Sequence, residues 1–327
     1  MNKFDVVELS QTELFQWNEL VDHSPHGTIF HKTGWLDACA HAFGKKVKIF
    51  GCFQGQNLVG GISLFLDRKI LGIVPVASST CNMTPFGGFV LSPVSRSSVH
   101  KQETFSREVI ELLLKEIKKE HFFSIRIKNS PEFSDIRPLT SHGWKSRVLY
   151  AYYINLQDDL ESHADPRVKK DIRKAEKNGI MIESFSDISR YYSLFSEMNV
   201  RKNLKIPVRR ELFADIHSFI SNQTCGEMVV AKTPENEIAC AEIIVWDSIQ
   251  AHFWSAVSDP RFLDTGAVNF LRFNSLKRMK ERGNLKINMT TANVFKLSQF
   301  VTHMNPTLVP YYEIQAGMFN NFPTDTE

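Results

Sequence analysis

This 327-residue chain contains few cysteines, and they are widely separated in the sequence: Cys39, Cys52, Cys81, Cys225 and Cys240. No two of them form a C-x-x-C pair, and none has the Cys/His spacing of a zinc site, which argues against the common metal-binding motifs. An odd number of widely separated cysteines also argues against a disulfide framework. We therefore expect free, buried thiols in a reducing compartment.

Long apolar runs are also missing. The longest runs, such as residues 70–77, fall far short of the roughly 20 residues that a membrane-spanning helix needs. Residues 1–9 contain charged side chains and no apolar signal region. The sequence therefore predicts neither a transmembrane segment nor secretion, and we expect a cytoplasmic protein.

The remaining composition is that of an ordinary globular protein, with 43% hydrophobic residues, 23% charged residues and a net charge of +3. A chain of this length is long for a single hydrophobic core, since domains of about 150 residues are typical. We predict two domains, 1–150 and 151–327. The sequence does not predict the oligomeric state.

The first half is predicted to contain a strand, two helices, a hairpin, a long helix and a further strand. The hairpin turns at residues 54–57, and the Ser-, Thr-, Gly- and Pro-rich segment 78–93 is predicted as a loop. The second helix is predicted at 33–43, with Thr33 as its N-cap and Gly44 as its end.

The second half repeats this order of elements. Helices are predicted at 187–202 and 208–221, followed by three strands, a long helix at 265–282 and a strand at 285–289. The order of helices and strands repeats, although the amino-acid sequence itself does not. This indicates an internally duplicated α/β module.

The densest charge lies between the halves, in a helix predicted within residues 166–180. Six basic residues fall within eleven positions, against two acids. Lys170, Arg173 and Lys177 share one helical face, which is typical of an anion-binding surface. Without interleaved aromatic residues the helix suits phosphate contacts, so sequence-specific DNA binding is not predicted. A solvated surface helix is the alternative interpretation.

Several segments occur in an order that resembles a known superfamily. They are residues 27–36, 84–90, 173–180, 254–267 and 269–283. Together they resemble the FemABX-like acyltransferases, which include the peptidoglycan aminoacyltransferases and proteins with a GNAT-type domain. The resemblance covers nearly the whole chain. It implies an α/β (α+β) fold of two tandem GNAT-like domains, each a mixed, mostly antiparallel sheet flanked by helices.

The resemblance also implies where an acyl donor binds. GNAT folds hold the pyrophosphate of coenzyme A at the N-terminus of the long helix, where the helix dipole favours anions. The expected cofactor-binding residues are therefore Arg261, Thr265, Gly266 and Ala267. Asp264 departs from the family's pattern, because it stands where the first glycine belongs, and we expect it to cap the helix instead. Aminoacyl-tRNA is the other donor that the family implies.

Further departures weaken the transfer of a peptidoglycan substrate. Lys32 is the base nearest to Trp35, where armless family members place a lysine that helps to hold a nucleotide-linked precursor. Lys128 or Asn129 stands where an aspartate follows the first-half strand, and valine instead of lysine follows Phe300. The chain has no room for the coiled-coil arm of the best-known members, so the armless form is expected.

Acyl transfer to an amine requires a base for the proton and donors for the oxyanion. Glu242 and His252 are the candidate bases, because they interrupt neighbouring apolar strands, and burial raises the pKa of a carboxylate. They point to opposite faces if their strand parity differs. Hydrogen-bonded structural residues are the alternative interpretation.

Eight residues are predicted to contact the substrate. They are Lys32, Trp35, Lys170, Arg173, Lys177, Trp254, Asn288 and Tyr311. The aromatic members are expected to line an acceptor groove, and Asn288 is expected to supply a polar donor after a strand. No metal site is predicted.

We therefore expect an acyltransferase that moves an acyl or aminoacyl group from acyl-CoA or aminoacyl-tRNA to an amine of a saccharide or cell-envelope precursor. No permanently bound cofactor is expected, and the partner is a phosphate-bearing small molecule, with tRNA in the second case. Two alternatives stay open: a catalytically degenerate GNAT-fold binding module and a nonspecific phosphate- or RNA-binding protein.

Overall fold

The structure is a computed structural model that describes residues 4–69, 72–93, 98–201, 203, 208–290 and 292–317. The described residues divide into two compact units. Unit 1 contains residues 4–149 and 310–317, and unit 2 contains residues 150–309. The last described residues therefore belong to the same unit as the first.

Unit 1 is built on a mixed sheet. Its strands are β1 (Phe4–Glu8), β2 (Lys46–Gln54), β3 (Asn57–Lys69), β4 (Val74–Ser78), β5 (Gly88–Leu91) and β6 (Ser124–Lys128). Its helices are α1 (Leu14–His23), α2 (Thr33–Phe43), α3 (Val99–Lys118) and α4 (Arg137–Thr140). Strands β1 to β4 pair antiparallel in sequence order, β5 pairs with β3, and β4 is parallel to β6.

The apolar faces of the helices supply the core of unit 1. Trp17 and Leu20 of α1 are buried, as are Val109 and Leu113 of α3. These positions recur at the three-to-four-residue spacing of one helical face. The indole nitrogen of Trp17 is satisfied by a 2.7 Å bond to the carbonyl of His31.

The hairpin and the end of α2 follow the sequence, but the start of α2 does not. The predicted hairpin is confirmed, because β2 and β3 pair antiparallel across residues 54–57. Gly44 ends α2 in the left-handed conformation, which glycine adopts without a steric penalty. Thr33, however, is not the N-cap: that position is Lys32, whose side chain makes no capping bond.

The predicted loop 78–93 contains a strand that the sequence did not indicate. Strand β5 is four residues long and pairs with the middle of β3. It starts at Gly88, whose φ of 93° lies in the left-handed region. Glycine- and proline-rich sequence predicts a turn, but it does not reveal a short strand immediately after the turn.

The strands of unit 2 also form both parallel and antiparallel pairs. Its strands are β8 (Met181–Ser184), β9 (Gly226–Lys232), β10 (Ile238–Trp246), β11 (Gln250–Ser258) and β12 (Lys286–Asn288). Its helices are α5 (Leu160–His163), α6 (Pro166–Lys177), α7 (Ile188–Arg201), α8 (Arg210–Gln223), α9 (Ala267–Arg282) and α10 (Phe295–Val301). Two strands, β7 (Lys145–Asn155) and β13 (Thr307–Gly317), have residues in both units.

The two units repeat one connectivity. In unit 1, β3 is antiparallel to β4, and the chain then crosses through α3 to β6, which is parallel to β4. In unit 2, β10 is antiparallel to β11, and the chain crosses through α9 to β12, which is parallel to β11. Parallel strands require such a long crossover, usually a helix. The predicted duplication of element order is confirmed.

The basic helix α6 packs against the start of α9. Val168 and Ala175 of α6 are buried, and Asp171 accepts a 2.7 Å bond from Asn269. Gly266, just before α9, has a φ of 85°. A Cβ at this position would lie 2.2 Å from the backbone oxygen of Asp171. Glycine therefore allows the two backbones to approach each other.

Gly266→Ala should destabilise the protein more than Gly283→Ala, its matched control at the other end of α9. Both glycines have left-handed backbones, which cost alanine about 1–2 kcal/mol. Only Gly266 faces a backbone atom; around Gly283, no described atom lies within 4 Å of the added Cβ. We expect a further loss of about 2 kcal/mol for Gly266→Ala in urea unfolding. Equal losses would contradict this packing.

Candidate functional site

The two predicted bases lie on opposite faces of the unit 2 sheet. His252 of β11 is paired with Val245 of β10, which is three residues after Glu242. Side chains that are three positions apart in a strand point to opposite faces. The two groups therefore do not act together on one substrate.

Glu242 forms a buried ion pair with Arg272 of α9. Its Oε2 accepts a 2.9 Å bond from Nε of Arg272, and the side chains are 3% and 8% exposed. The guanidinium also stacks on Phe253, with 3.8 Å between its Cζ and the ring centroid. This geometry favours a structural role, in which the pair ties α9 to the sheet. The role of Glu242 as a base stays a prediction.

His252 is fully buried. Burial, with the charge of Lys286 as the second cause, lowers its pKa to about 3. The imidazole is therefore neutral at physiological pH, and it is a weak base compared with one tuned near the working pH. Its predicted role in catalysis is untested, and its surroundings favour a core position.

Arg261 lies in the loop before α9, where it is predicted to bind the pyrophosphate of the acyl donor. In the structure, it forms hydrogen bonds with two carboxylates. Its Nη2 donates to Asp259 at 2.8 Å, and its Nη1 donates to Glu237 at 2.8 Å. The bond from Arg261 is the main cause that holds the pKa of Asp259 below its usual range. A pyrophosphate would have to compete with both carboxylates for this guanidinium.

The backbone at the start of α9 is enclosed as well. The N–H of Ala267 donates to Thr265 Oγ1 at 3.3 Å, and Gly266 lies against the backbone of Asp171. Gly266 is the N-cap of α9, so the expectation that Asp264 caps this helix is wrong. A 3-10 turn extends through Thr265, which leaves Asp264 exposed and two residues before the N-cap position. One amide of this helix start is therefore already engaged, and the binding of a coenzyme A pyrophosphate here stays a prediction.

Helix α6 presents cations to solvent, as its spacing predicts. Lys170, Arg173 and Lys177 are exposed, and none of the described carboxylates pairs with them. Arg173 Nε donates to the carbonyl of Lys169 one turn earlier, at 3.2 Å. Exposed cations that lack carboxylate partners among the described residues make this surface electropositive.

The two predicted substrate contacts near the start of the chain are held by neighbouring residues. Lys32 forms an ion pair with Asp22 and donates to the carbonyl of Asn18 at 3.0 Å. Trp35 is fully buried, and its Nε1 donates to Thr84 at 3.2 Å. Both side chains brace unit 1, and their predicted contact with a substrate is untested.

The remaining predicted contacts are also interior residues. Tyr311 and Trp254 pack against the aromatic rings of Phe86 and Phe213, respectively. Asn288 is buried, with its Oδ1 accepting a backbone N–H two residues later. The predicted aromatic groove is therefore core in both units, although a single-sequence pattern cannot distinguish a buried aromatic from a groove-lining one.

A cavity of about 570 Å³ opens in unit 1, along β4, β6 and the segment that follows β4. This volume suits a small-molecule ligand. Its charged lining consists of Lys45, Asp67, Lys69, Arg126, Lys128 and Glu313. Of these, the sequence singled out only Lys128, as a departure from the family's aspartate.

Cations outnumber carboxylates in this cavity. Asp67 is shared by Nζ of Lys45 at 3.2 Å and Nζ of Lys69 at 3.4 Å. Although burial opposes its ionisation, the bond from the Arg68 amide and the lysine charges hold the pKa of Asp67 below its usual range. Lys128 has no carboxylate partner among the described residues. Positive charge is therefore left over for an anion.

Glu313 supplies the second carboxylate of the cavity. It is 1% exposed, it pairs with Arg147, and the Nε of Arg126 lies 3.8 Å from its Oε1. Glu313 of β13 is in register with Lys128 of β6, so these side chains share a face with Arg126, two positions earlier. The strand pairing places one carboxylate and two cations side by side.

Backbone bonds hold the segment 79–88 across the ends of β4 and β6. Ser79 Oγ accepts the N–H of Lys128 at 2.9 Å, and the N–H of Gly87 donates to the carbonyl of Lys128 at 2.9 Å. These bonds make Thr80 and Asn82 part of the cavity wall. The cavity's cations come from three separate stretches of the chain, at Lys45, at Lys69 and on β6, so no local motif could have revealed their convergence.

Two absences hold over the part of the chain that the structure describes. No helix there is long and apolar enough to cross a membrane. The same residues contain no cluster of three His, Cys, Asp or Glu side chains that could hold a metal ion.

Residues 163–295, within unit 2, match the family model of an acetyltransferase (GNAT) domain. A sequence comparison with curated proteins gives no significant match. The crystal structure of FemX superposes with a TM-score of 0.74 at 11% identity, over 96% of this chain and 97% of that chain. The chain is FemABX-like and GNAT-type in its fold.

Two further solved structures share this FemABX-like fold. The C-terminal domain of a putative lysylphosphatidylglycerol synthetase from Agrobacterium fabrum has a TM-score of 0.60 at 10% identity, with coverage of 93% and 91% of the two chains. A tandem GNAT protein from the clavulanic acid biosynthesis pathway has a TM-score of 0.57 at 12% identity, with coverage of 96% and 98%. The predicted fold of two tandem GNAT-like modules is confirmed.

Glu242→Gln should destabilise the FemABX-like fold by about 3–5 kcal/mol, because it leaves the Arg272 guanidinium buried without a countercharge. Combining Glu242→Gln with Arg272→Met should cost less than the sum of the single changes. Urea unfolding followed by circular dichroism measures both. A free energy of unfolding that stays within about 0.5 kcal/mol, together with lost activity, would instead favour Glu242 as a base.

Proposed function

We propose that this chain is a GNAT-type acyltransferase that moves an acyl or aminoacyl group to an amine of a phosphate-bearing saccharide or cell-envelope precursor. The observation that carries the proposal is the cation-rich cavity of unit 1. The GNAT match in unit 2 and the likeness to FemX support the reaction class. Under this proposal, unit 1 binds the acceptor and unit 2 belongs to the transferase module.

The cavity suits the phosphate of such an acceptor. Lys128 has no carboxylate partner among the described residues, and Arg126 makes only a 3.8 Å contact with Glu313. Ammonium and guanidinium groups bind phosphate oxygens through charge-assisted hydrogen bonds. Hydroxyl and amide groups of Thr80 and Asn82 in the wall suit the hydroxyls of a saccharide.

For the donor, the geometry favours aminoacyl-tRNA over acyl-CoA. In the loop before α9, Gly266 packs against the backbone of Asp171, and Arg261 is engaged by carboxylates. In contrast, Lys170 and Arg173 are exposed on α6 and suit the phosphates of a polyanion. Acyl-CoA is the alternative donor, which requires Arg261 to leave its partners.

The reaction joins the amine nitrogen of the acceptor to the acyl carbon of the donor. As the C–N bond forms, the bond from the acyl carbon to the tRNA oxygen breaks, the amine loses a proton, and the departing tRNA oxygen takes up a proton to become a hydroxyl group. Such transfers need a proton acceptor and donors for the oxyanion. Because Glu242 and His252 are enclosed by protein, the proposal does not depend on either of them.

Lys128→Ala should weaken the binding of UDP-N-acetylglucosamine, used as a phosphate-bearing probe, by about tenfold, because a charge-assisted bond contributes about 1.5–3 kcal/mol. Isothermal titration calorimetry at low salt measures the change. Lys46→Ala is the matched control: Lys46 is exposed and follows the cavity residue Lys45, but does not line the cavity. Equal affinities for both variants would contradict the proposed site.

Replacing Lys170, Arg173 and Lys177 by alanine should weaken tRNA binding and lower its salt dependence. Three lost phosphate contacts reduce the slope of log K against log[salt] by about 2–3. The matched control removes two lysines and one arginine from the exposed face of α3: Lys101, Arg107 and Lys118. Filter binding at several salt concentrations measures both slopes. Equal slopes for the two variants would indicate that α6 is an ordinary surface helix without a role in tRNA binding.

A binding module without catalysis is the second candidate. The pairing of Arg261 with carboxylates and the burial of Glu242 and His252 favour it. Incubating the protein with aminoacyl-tRNA or acetyl-CoA and an amino sugar nucleotide, and then measuring the acceptor by mass spectrometry, separates the two. An acylated acceptor supports the enzyme, and binding without any product supports the module.

A further inference from the structure

Two cysteines from separate segments meet at Thr84, beside the cavity of unit 1. The Sγ of Cys39 on α2 lies 3.6 Å from Thr84 Oγ1, and the Sγ of Cys81 lies 3.4 Å from the same oxygen. Both thiols therefore converge on one hydroxyl group. Cys81 lines the cavity, whereas Cys39 is buried. One thiol is therefore open to a small reagent, and the other lies behind it, on the same threonine oxygen.

The surroundings shift the pKa values of the two thiols in opposite directions. The neighbouring Cys39 thiol, together with Thr84 and the charge of Lys45, lowers the pKa of Cys81 against the effect of burial. The neighbouring Cys81 thiol and burial raise the pKa of Cys39. Burial likewise raises the pKa of Cys52, to about 12. Since the thiolate is the reactive form, Cys81 is the attacking thiol of the pair.

We propose that Cys81 and Cys39 are a dithiol site for hydroperoxides, in which Cys81 reacts first and Cys39 then closes a disulfide. The cavity admits the oxidant to Cys81, and the contact at Thr84 supplies the second thiol without a large rearrangement. The oxidant is a small hydroperoxide, represented by hydrogen peroxide. The site does not depend on the proposed acyl transfer.

The two steps balance as follows. The Cys81 sulfur attacks one oxygen of hydrogen peroxide, so that an S–O bond forms while the O–O bond breaks, and the departing hydroxide takes up a proton. The Cys39 sulfur then attacks the sulfur of the resulting sulfenic acid. An S–S bond forms, the S–O bond breaks, and the hydroxide leaves as water with the proton of Cys39. The thiols lose two electrons, and one peroxide becomes two waters.

Such a site fits a chain without a structural disulfide framework. In reducing compartments, disulfides are usually transient and serve in catalysis or in redox sensing. Cys39 and Cys81 are both free in the reduced protein. The pair is therefore a reversible modification site in the wall of the proposed acceptor cavity.

The test is oxidation of the full chain with stoichiometric hydrogen peroxide, followed by alkylation and mass spectrometry. We expect a loss of about 2 Da that dithiothreitol reverses, because two thiol hydrogens are removed. Non-reducing peptide mapping should find Cys39 linked to Cys81. Cys225 is the internal reference, as the other partly exposed cysteine. It should react about tenfold more slowly than Cys81 at neutral pH.

Three variants assign the roles. In Cys39→Ser, the sulfenic acid of Cys81 should persist and be trapped by dimedone. In Cys81→Ser, Cys39 should stay reduced, and in the control Cys225→Ser the linked peptide should form as in the unchanged chain. Circular dichroism confirms that each variant folds. Because Cys39 is buried, the mapping of the unchanged chain decides the question if Cys39→Ser does not fold.

Several outcomes would overturn the proposal. They are the absence of a Cys39–Cys81 peptide after one equivalent of peroxide, oxidation of Cys225 before Cys81, and a sulfenic acid that accumulates in the unchanged chain. Acyl transfer is measured in a separate assay with reduced protein, so its failure leaves this result unchanged. Conversely, a missing disulfide does not bear on the acceptor cavity.

Discussion

In each unit, the folding of the sheet depends on one parallel pair of strands. A chain cannot turn directly from one parallel strand into the next, so it must cross over, and here it crosses through a long helix. Helix α3 makes this connection between β4 and β6, and α9 makes it between β11 and β12. The remaining strands extend each sheet by antiparallel pairing. The duplicated order of elements follows from the repetition of this crossover.

The same crossover produces different chemistry in the two units. In unit 1, the parallel pair lines a cavity in which the cations Arg126 and Lys128 follow one face of β6. In unit 2, Thr290 Oγ1 donates to the carbonyl of Phe253 at 3.1 Å, which bridges the segments beyond the paired residues of β11 and β12. The carboxylate of Glu242 in that sheet is held by Arg272 within the protein. Sharing a fold with FemX therefore does not by itself show which residues carry out a reaction.

The sequence predicted the long helices and the hairpin well, because their signals are local. Apolar residues at helical spacing indicated α3 and α9, and Gly44 marked the end of α2. The bounds of α9 differ by two residues at its start, because residues 260–265 form a 3-10 turn before the helix. Strand β5 was missed, because its four residues follow a glycine-rich turn and carry no period of their own. Functional residues were harder to predict. Glu242 and His252 were selected as candidate bases because they are polar residues in apolar strands, but the residues around them come from other elements, which the local sequence does not show.

The sequence by itself determined the class of the protein: a duplicated α/β chain with a basic helix and a resemblance to FemABX-like transferases. Those properties depend on periodicity, composition and segment order, all of which are read along the chain. Only the tertiary structure decided which charges are free. Arg261 is neutralised by Asp259 and Glu237, whereas Lys128 meets other cations from distant segments and keeps its charge available. Pairing of charges is a contact between residues far apart in sequence, so it appears only after the strands are in register.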